Sequence, residues 1–150
     1  MRIGGYIFPS FNPYDRPCFE IYISGCTRKC KGCHNIELAN FDYGTEIENM
    51  QEWINKFLLT KEAFFDIISI TGGDILCQPE EKAYEFIDRL SHTFPNKEIW
   101  VFTGEDDFRN IPNWMKERCD VIKYGSYKEE LKVNKFPITS NQKIWRKNEY

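Results

Sequence analysis

Residues 19–35 read FEIYISGCTRKCKGCHN. The first six alternate apolar and polar side chains, the period of a strand with one buried face. The pattern stops at Gly25, and Cys26, Cys30 and Cys33 follow at once. A strand that delivers thiols at its carboxyl end suits open α/β sheets and β/α barrels. In both, ligands gather beyond the C-terminal ends of parallel strands.

The same unit recurs along the chain. Residues 66–71 (DIISIT) form a short apolar strand that stops at Gly72-Gly73. Residues 98–103 (EIWVFT) stop at Gly104, and residues 119–124 (CDVIKY) at Gly125. Helical patterns separate them. Residues 45–59 open with Thr45 and Glu48 in a capping-box pattern and place Ile47, Met50, Ile54, Phe57 and Leu58 on one face. Residues 79–94 start with a proline and two glutamates, both helix-start signals. Residues 112–118 read as a short helix, and residues 140–146 are a candidate last strand. Strand–loop–helix alternation implies an α/β fold with a mainly parallel sheet. A full eight-stranded barrel needs about 250 residues. The 150 residues here predict a partial (truncated) β/α barrel, a single domain over 1–150.

Composition narrows the function. Hydrophobic residues make up 41% and aromatics 16%, enough for a packed core. A net charge of −3 leaves no basic footprint for nucleic acid or an acidic membrane surface. No apolar run approaches the roughly 20 residues of a membrane span, and residues 1–17 carry no apolar signal core. The expected location is the cytoplasm, where thiols stay reduced and a tight cysteine cluster is metal-binding or catalytic. Cys18, Cys77 and Cys119 stand singly and read as buried small hydrophobes.

Three thiols in one loop admit more than one chemistry. A zinc site would recruit His34 or Cys77 as a fourth ligand, but structural zinc favours paired motifs. Unliganded thiols beside Arg28, Lys29 and Lys31 would have lowered pKa values and react readily. An iron–sulfur cluster with three cysteine ligands would keep one iron open for a substrate or cofactor. Thr71-Gly72-Gly73-Asp74 adds a tight turn that lets a ligand approach the main chain.

The spacing C-x3-C-x2-C after a strand, with Gly-Gly-Asp after the next, resembles the radical S-adenosylmethionine superfamily. The resemblance implies a 4Fe–4S cluster on Cys26, Cys30 and Cys33. Its open iron would chelate S-adenosylmethionine, with Gly72, Gly73 and Asp74 at the methionyl end. Within the superfamily the chain is similar to the small activating enzymes of anaerobic (class III) ribonucleotide reductases. Cys33-His34-Asn35, Gln78-Pro79, Phe102-Thr103-Gly104, Glu129-Glu130-Leu131 and Ser140-Asn141-Gln142 carry that likeness, over about residues 17–146. It places His34, Asn35 and Thr103 beside the cofactor. It implies a glycyl-radical partner protein, anaerobic ribonucleotide reductase, and an electron donor such as flavodoxin or ferredoxin. No catalytic residue is expected beyond the cluster, because hydrogen-atom abstraction needs position rather than proton transfer. The alternative is a stand-alone small radical enzyme acting on a small molecule or peptide. Lys123-Tyr124-Gly125 departs from the Asp-Gly of the activating enzymes, and Lys123 reads as an exposed strand-end lysine.

Overall fold

The structure is a computed structural model and describes residues 1–33 and 36–149. The chain enters through β1 (Arg2–Ser10), which pairs antiparallel with β2 (Cys18–Ile23). Gly4, Gly5 and Pro9 dilute the strand signal of β1, and its pairing with β2 is irregular on either side of residues 5–7. A two-residue strand, β3 (Thr45–Glu46), caps the outer edge of β1 by pairing with Arg2 and Ile3. The helix expected over 45–59 is therefore shorter. Thr45 is taken up by that edge pairing, and α1 (Met50–Phe57) begins only after Asn49, whose side chain accepts from the Glu52 N–H at 3.0 Å. That bond satisfies one of the orphan donors of the first turn, and the Thr45–Glu48 capping box does not form.

The remaining strands are β4 (Ile67–Gly72), β5 (Glu98–Phe102), β6 (Val121–Tyr124) and β7 (Lys143–Arg146). With them the sheet has the order β3-β1-β2-β4-β5-β6-β7. The four central strands β2, β4, β5 and β6 are parallel, and the two flanks are antiparallel. Each parallel step is spanned by a helix: α1, then α2 (Glu80–Thr93), then α3 (Asn113–Arg118). The apolar positions of α2 fall at Ala83, Phe86, Ile87 and Leu90, the i, i+3, i+4, i+7 stripe of a core-facing helix.

All three helices share one core. Ile54, Phe86, Ile87, Leu90 and Met115 pack with Phe19, Ile21, Ile23, Ile68, Ile70, Val101 and Ile122, which alternate along the strands. The opposite face carries Cys18, Ile67, Trp100 and Val121, covered by Tyr14 and by the partly buried Phe136. The Tyr14 hydroxyl bridges buried Glu20 (2.5 Å) and Ser69 (2.7 Å) there, and the Tyr22 hydroxyl also donates to Glu20. Burial and these carboxylate contacts raise the Tyr14 pKa, so the hydroxyl stays a donor. Cys18 and Cys119 are fully buried, as small hydrophobes are. Among the described residues no helix is long and apolar enough to cross a membrane.

Candidate functional site

The carboxyl ends of β2, β4, β5 and β6 open onto one cavity of about 230 Å³. Cys26, Cys30 and Cys33 line it from the loop after β2. Thr71, Gly72, Gly73 and Asp74 come from the end of β4, Phe102, Thr103 and Gly104 from β5, and Lys123 and Gly125 from β6. All three thiols are half-exposed and unbridged. The loop that carries them turns at Lys29, whose φ of 52° is left-handed, an uncommon conformation for a residue with a side chain.

Parallel pairing continues past the strand ends and locks this loop in place. The Gly73 N–H donates to Ile23 O (2.7 Å) and the Asp74 N–H to Gly25 O (3.1 Å). The Gly25 N–H reaches Leu38 O (2.6 Å), and buried Gln78 donates its amide to Ser24 O (2.9 Å). The two glycines have a packing reason. Gly72 has a φ of 94°, and a Cβ on Gly73 would lie 2.7–2.8 Å from the carbonyl oxygens of Gly25, Ile23 and Leu38. The Gly-Gly turn thus brings the β4 loop into contact with the cysteine loop.

Asp74 is the junction of the site. It is 1% exposed. One carboxylate oxygen accepts from the Leu76 N–H (2.9 Å) and the Thr103 hydroxyl (2.9 Å). The other accepts from Arg28 Nε (2.6 Å) and the Gly104 N–H (2.8 Å). Three loops meet on one side chain. Burial opposes the Arg28 charge, but the Asp74 carboxylate outweighs it and raises the guanidinium pKa. Arg28 is therefore committed to Asp74. At Cys26 the expected lowering does not occur. The neighbouring Cys77 thiol, then burial, raises its pKa, while Cys26 in turn lowers Cys77 to about 6.

Of the residues singled out in the sequence, Cys26, Cys30, Cys33, Gly72, Gly73, Asp74 and Thr103 converge on this cavity. His34 and Asn35 lie outside the described residues. Three participants escape a reading by motif. Arg28 looks like one cation among several in its loop. Cys77 is half-exposed rather than buried, because the turn Ile75–Cys77 sets it beside Cys26. Lys123 is half-buried, its ammonium 4.8 Å from the centre of the Phe102 ring. Burial holds its pKa down to about 8, with Asp74 acting the other way. Strand alternation carries the signal for Lys123: residues 121 and 123 share the face opposite the helices.

Comparison with known proteins gives this geometry a context. A family model described as a 4Fe-4S single cluster domain matches residues 17–145. The chain belongs to this family. It is 28% identical over 129 residues to the anaerobic ribonucleoside-triphosphate reductase-activating protein of Enterobacteria phage T4, covering 83% of this chain and 81% of that one. It is 30% identical over 114 residues to the protein of the same name from Haemophilus influenzae, covering 73% and 74%. The corresponding Escherichia coli protein is 27% identical over 116 residues, 75% of each chain. Membership of this family supports an iron–sulfur cofactor, and the site is chemically suited to one. Three soft, unbridged thiols share one cavity, and thiolates are the donors that iron–sulfur clusters take.

Proposed function

We propose that this chain is a radical S-adenosylmethionine activase that generates a glycyl radical on an anaerobic ribonucleotide reductase. The observation that carries the reading is the convergence of Cys26, Cys30 and Cys33 on a cavity that also holds the Gly-Gly turn and the ends of four parallel strands. The names of the relatives support the reductase as partner. Helices on one face only, with the other face open to loops, support a partial barrel that forms a single domain.

When bound, a reduced 4Fe–4S cluster would supply the electron that cleaves the S–C bond of S-adenosylmethionine and so yields the hydrogen-abstracting radical. Cys26, Cys30 and Cys33 would hold that cluster. Gly72 and Gly73 keep the β4 loop close against the cysteine loop and would present their main chain to the cofactor. Asp74 already has four donor groups on its carboxylate. It fixes these loops, and a methionyl ammonium would have to displace one of these donors. Thr103 and Gly104 tie the β5 end to the same carboxylate. No general base is needed, since the chemistry depends on placing a glycine Hα within reach. Glycine lacks a Cβ, which lets a partner's main chain enter a narrow site.

The test is anaerobic reconstitution of the wild type and of single alanine variants. Cys26→Ala, Cys30→Ala and Cys33→Ala should each lose the cluster, and Cys119→Ala should keep it. Loaded wild type with S-adenosylmethionine and a reductant should release methionine and 5′-deoxyadenosine together. Full iron loading of Cys30→Ala, or a loaded protein that leaves S-adenosylmethionine intact, would refute the assignment.

A further inference from the structure

The cavity accounts for three of the four thiols in this region. The fourth, Cys77, does not line it. Its Sγ lies within 4.8 Å of the Cys26 Sγ, and 3.5 Å from Thr27 Oγ1. Both sulfurs are half-exposed and neither is bridged. The main chain enforces the pairing. The Asp74 N–H donates to Gly25 O, and the Cys77 N–H returns to Asp74 O at 3.0 Å. The turn bearing Cys77 is thus pinned to the residue before Cys26.

Asp74 belongs to the same cluster of side chains. As a third ligand for a cation, one of its oxygens would have to give up either Leu76 and Thr103 or Arg28 and Gly104. Without it two thiols remain, too few for the four-coordinate site that a thiophilic ion such as zinc prefers. Two adjacent thiols do suffice for a disulfide. With the backbone held, side-chain rotation has to close the gap to the S–S length of about 2 Å.

We propose that Cys26 and Cys77 form a reversible disulfide in the cluster-free protein, which withdraws Cys26 from the cluster ligands and makes iron loading depend on thiol redox state. The oxidant is a low-molecular-weight disulfide. The Cys77 thiolate attacks one of its sulfurs, breaking that S–S bond and releasing one small thiol. The Cys26 thiolate then attacks the Cys77 sulfur, forms the protein disulfide and releases the second small thiol. Two electrons pass from the protein sulfurs to the small disulfide, and the two protein protons end on the two released thiols. A dithiol reductant reverses the sequence. The disulfide stands on geometry alone, and its effect on loading rests on the assignment of Cys26 as a cluster ligand.

The experiment uses the full-length, cluster-free chain treated with oxidised glutathione. Free thiols are alkylated, and the non-reduced digest is mapped by mass spectrometry. The expected result is a dominant cross-linked pair containing Cys26 and Cys77, lighter by two hydrogens and lost in Cys77→Ser. A predominance of Cys26–Cys30, Cys26–Cys33 or Cys30–Cys33 bridges would overturn the proposal, as would the absence of any bridge. A second arm offers iron and sulfide to the oxidised protein without a thiol reductant. Iron uptake should be lost and should return after dithiothreitol. A Cys26–Cys77 bridge that leaves iron uptake unchanged would confirm the disulfide and remove Cys26 from the cluster ligands.

Discussion

Asp74→Asn is the substitution with the most to say about how the site is held. The carboxylate receives four donor groups on two oxygens while 1% exposed. An amide of the same shape keeps one acceptor and turns an NH₂ toward groups that can only donate or, at Thr103, must reorient. Breaking a buried ion pair by removing one partner costs about 3–5 kcal/mol. Arg28 retains 24% side-chain exposure and can turn partly to water, so the low end, about 3 kcal/mol, applies. For a chain of this size that lowers Tm by about 6–12 °C. Arg28→Met leaves the buried carboxylate only its neutral donors and should cost about 1.5–3 kcal/mol for the lost charge-assisted bond. The double variant should then be more stable than the sum of the singles implies, since the two residues share one network. Equilibrium urea denaturation followed by circular dichroism measures all three variants. An Asp74→Asn protein within about 0.5 kcal/mol of wild type, the scatter of an ordinary surface change, or strict additivity with Arg28→Met, would refute the junction role.

Other consequences can be checked in the same way. The Lys123 amine is held down to about 8, chiefly by burial, so between pH 8 and its ordinary value the unfolded chain binds more protons, and stability should rise with pH through that window. Lys123→Met should be more stable than wild type at pH 7, by about 3 kcal/mol at most. The advantage should vanish above about pH 10.5, and equal stability at pH 7 would contradict the burial argument. Tyr14→Phe leaves buried Glu20 and Ser69 without their shared hydrogen-bond partner and should cost about 1–3 kcal/mol in urea denaturation. Gly73→Ala forces a methyl against three carbonyl oxygens. It should cost about 1–3 kcal/mol and reduce iron uptake, because the cysteine loop must shift; unchanged Tm and iron content would show that the contact is soft.

Much of this was legible because the β2 loop and the β4 turn are local in sequence. Three cysteines after an alternating strand, and a Gly-Gly turn after an apolar one, name the carboxyl edge of a parallel sheet without tertiary knowledge. Residues whose role depends on pairing across the fold were not legible. Cys77 looked like a core thiol because nothing near it in sequence shows that the Ile75–Cys77 turn docks on Cys26. Lys123 looked exposed because its cover, Phe102 and Phe136, comes from two other segments. β1 was hidden by Gly4, Gly5 and Pro9, and the start of α1 shifted because Thr45 pairs with Ile3 of β1. Asp74 was legible as a site residue, but not as the acceptor of four donors, since Arg28 lies 46 positions away.

The central claim is that this chain places a radical on a glycine of a partner protein. Electron paramagnetic resonance tests it most directly. Cluster-loaded protein is mixed anaerobically with S-adenosylmethionine, a reductant and the cognate anaerobic ribonucleotide reductase, and frozen. A glycine-centred doublet should appear with the complete mixture, and should be absent when the reductase or S-adenosylmethionine is withheld or when Cys30→Ala replaces the wild type. A fully loaded protein that consumes S-adenosylmethionine but raises no such doublet on the reductase would contradict the activase account.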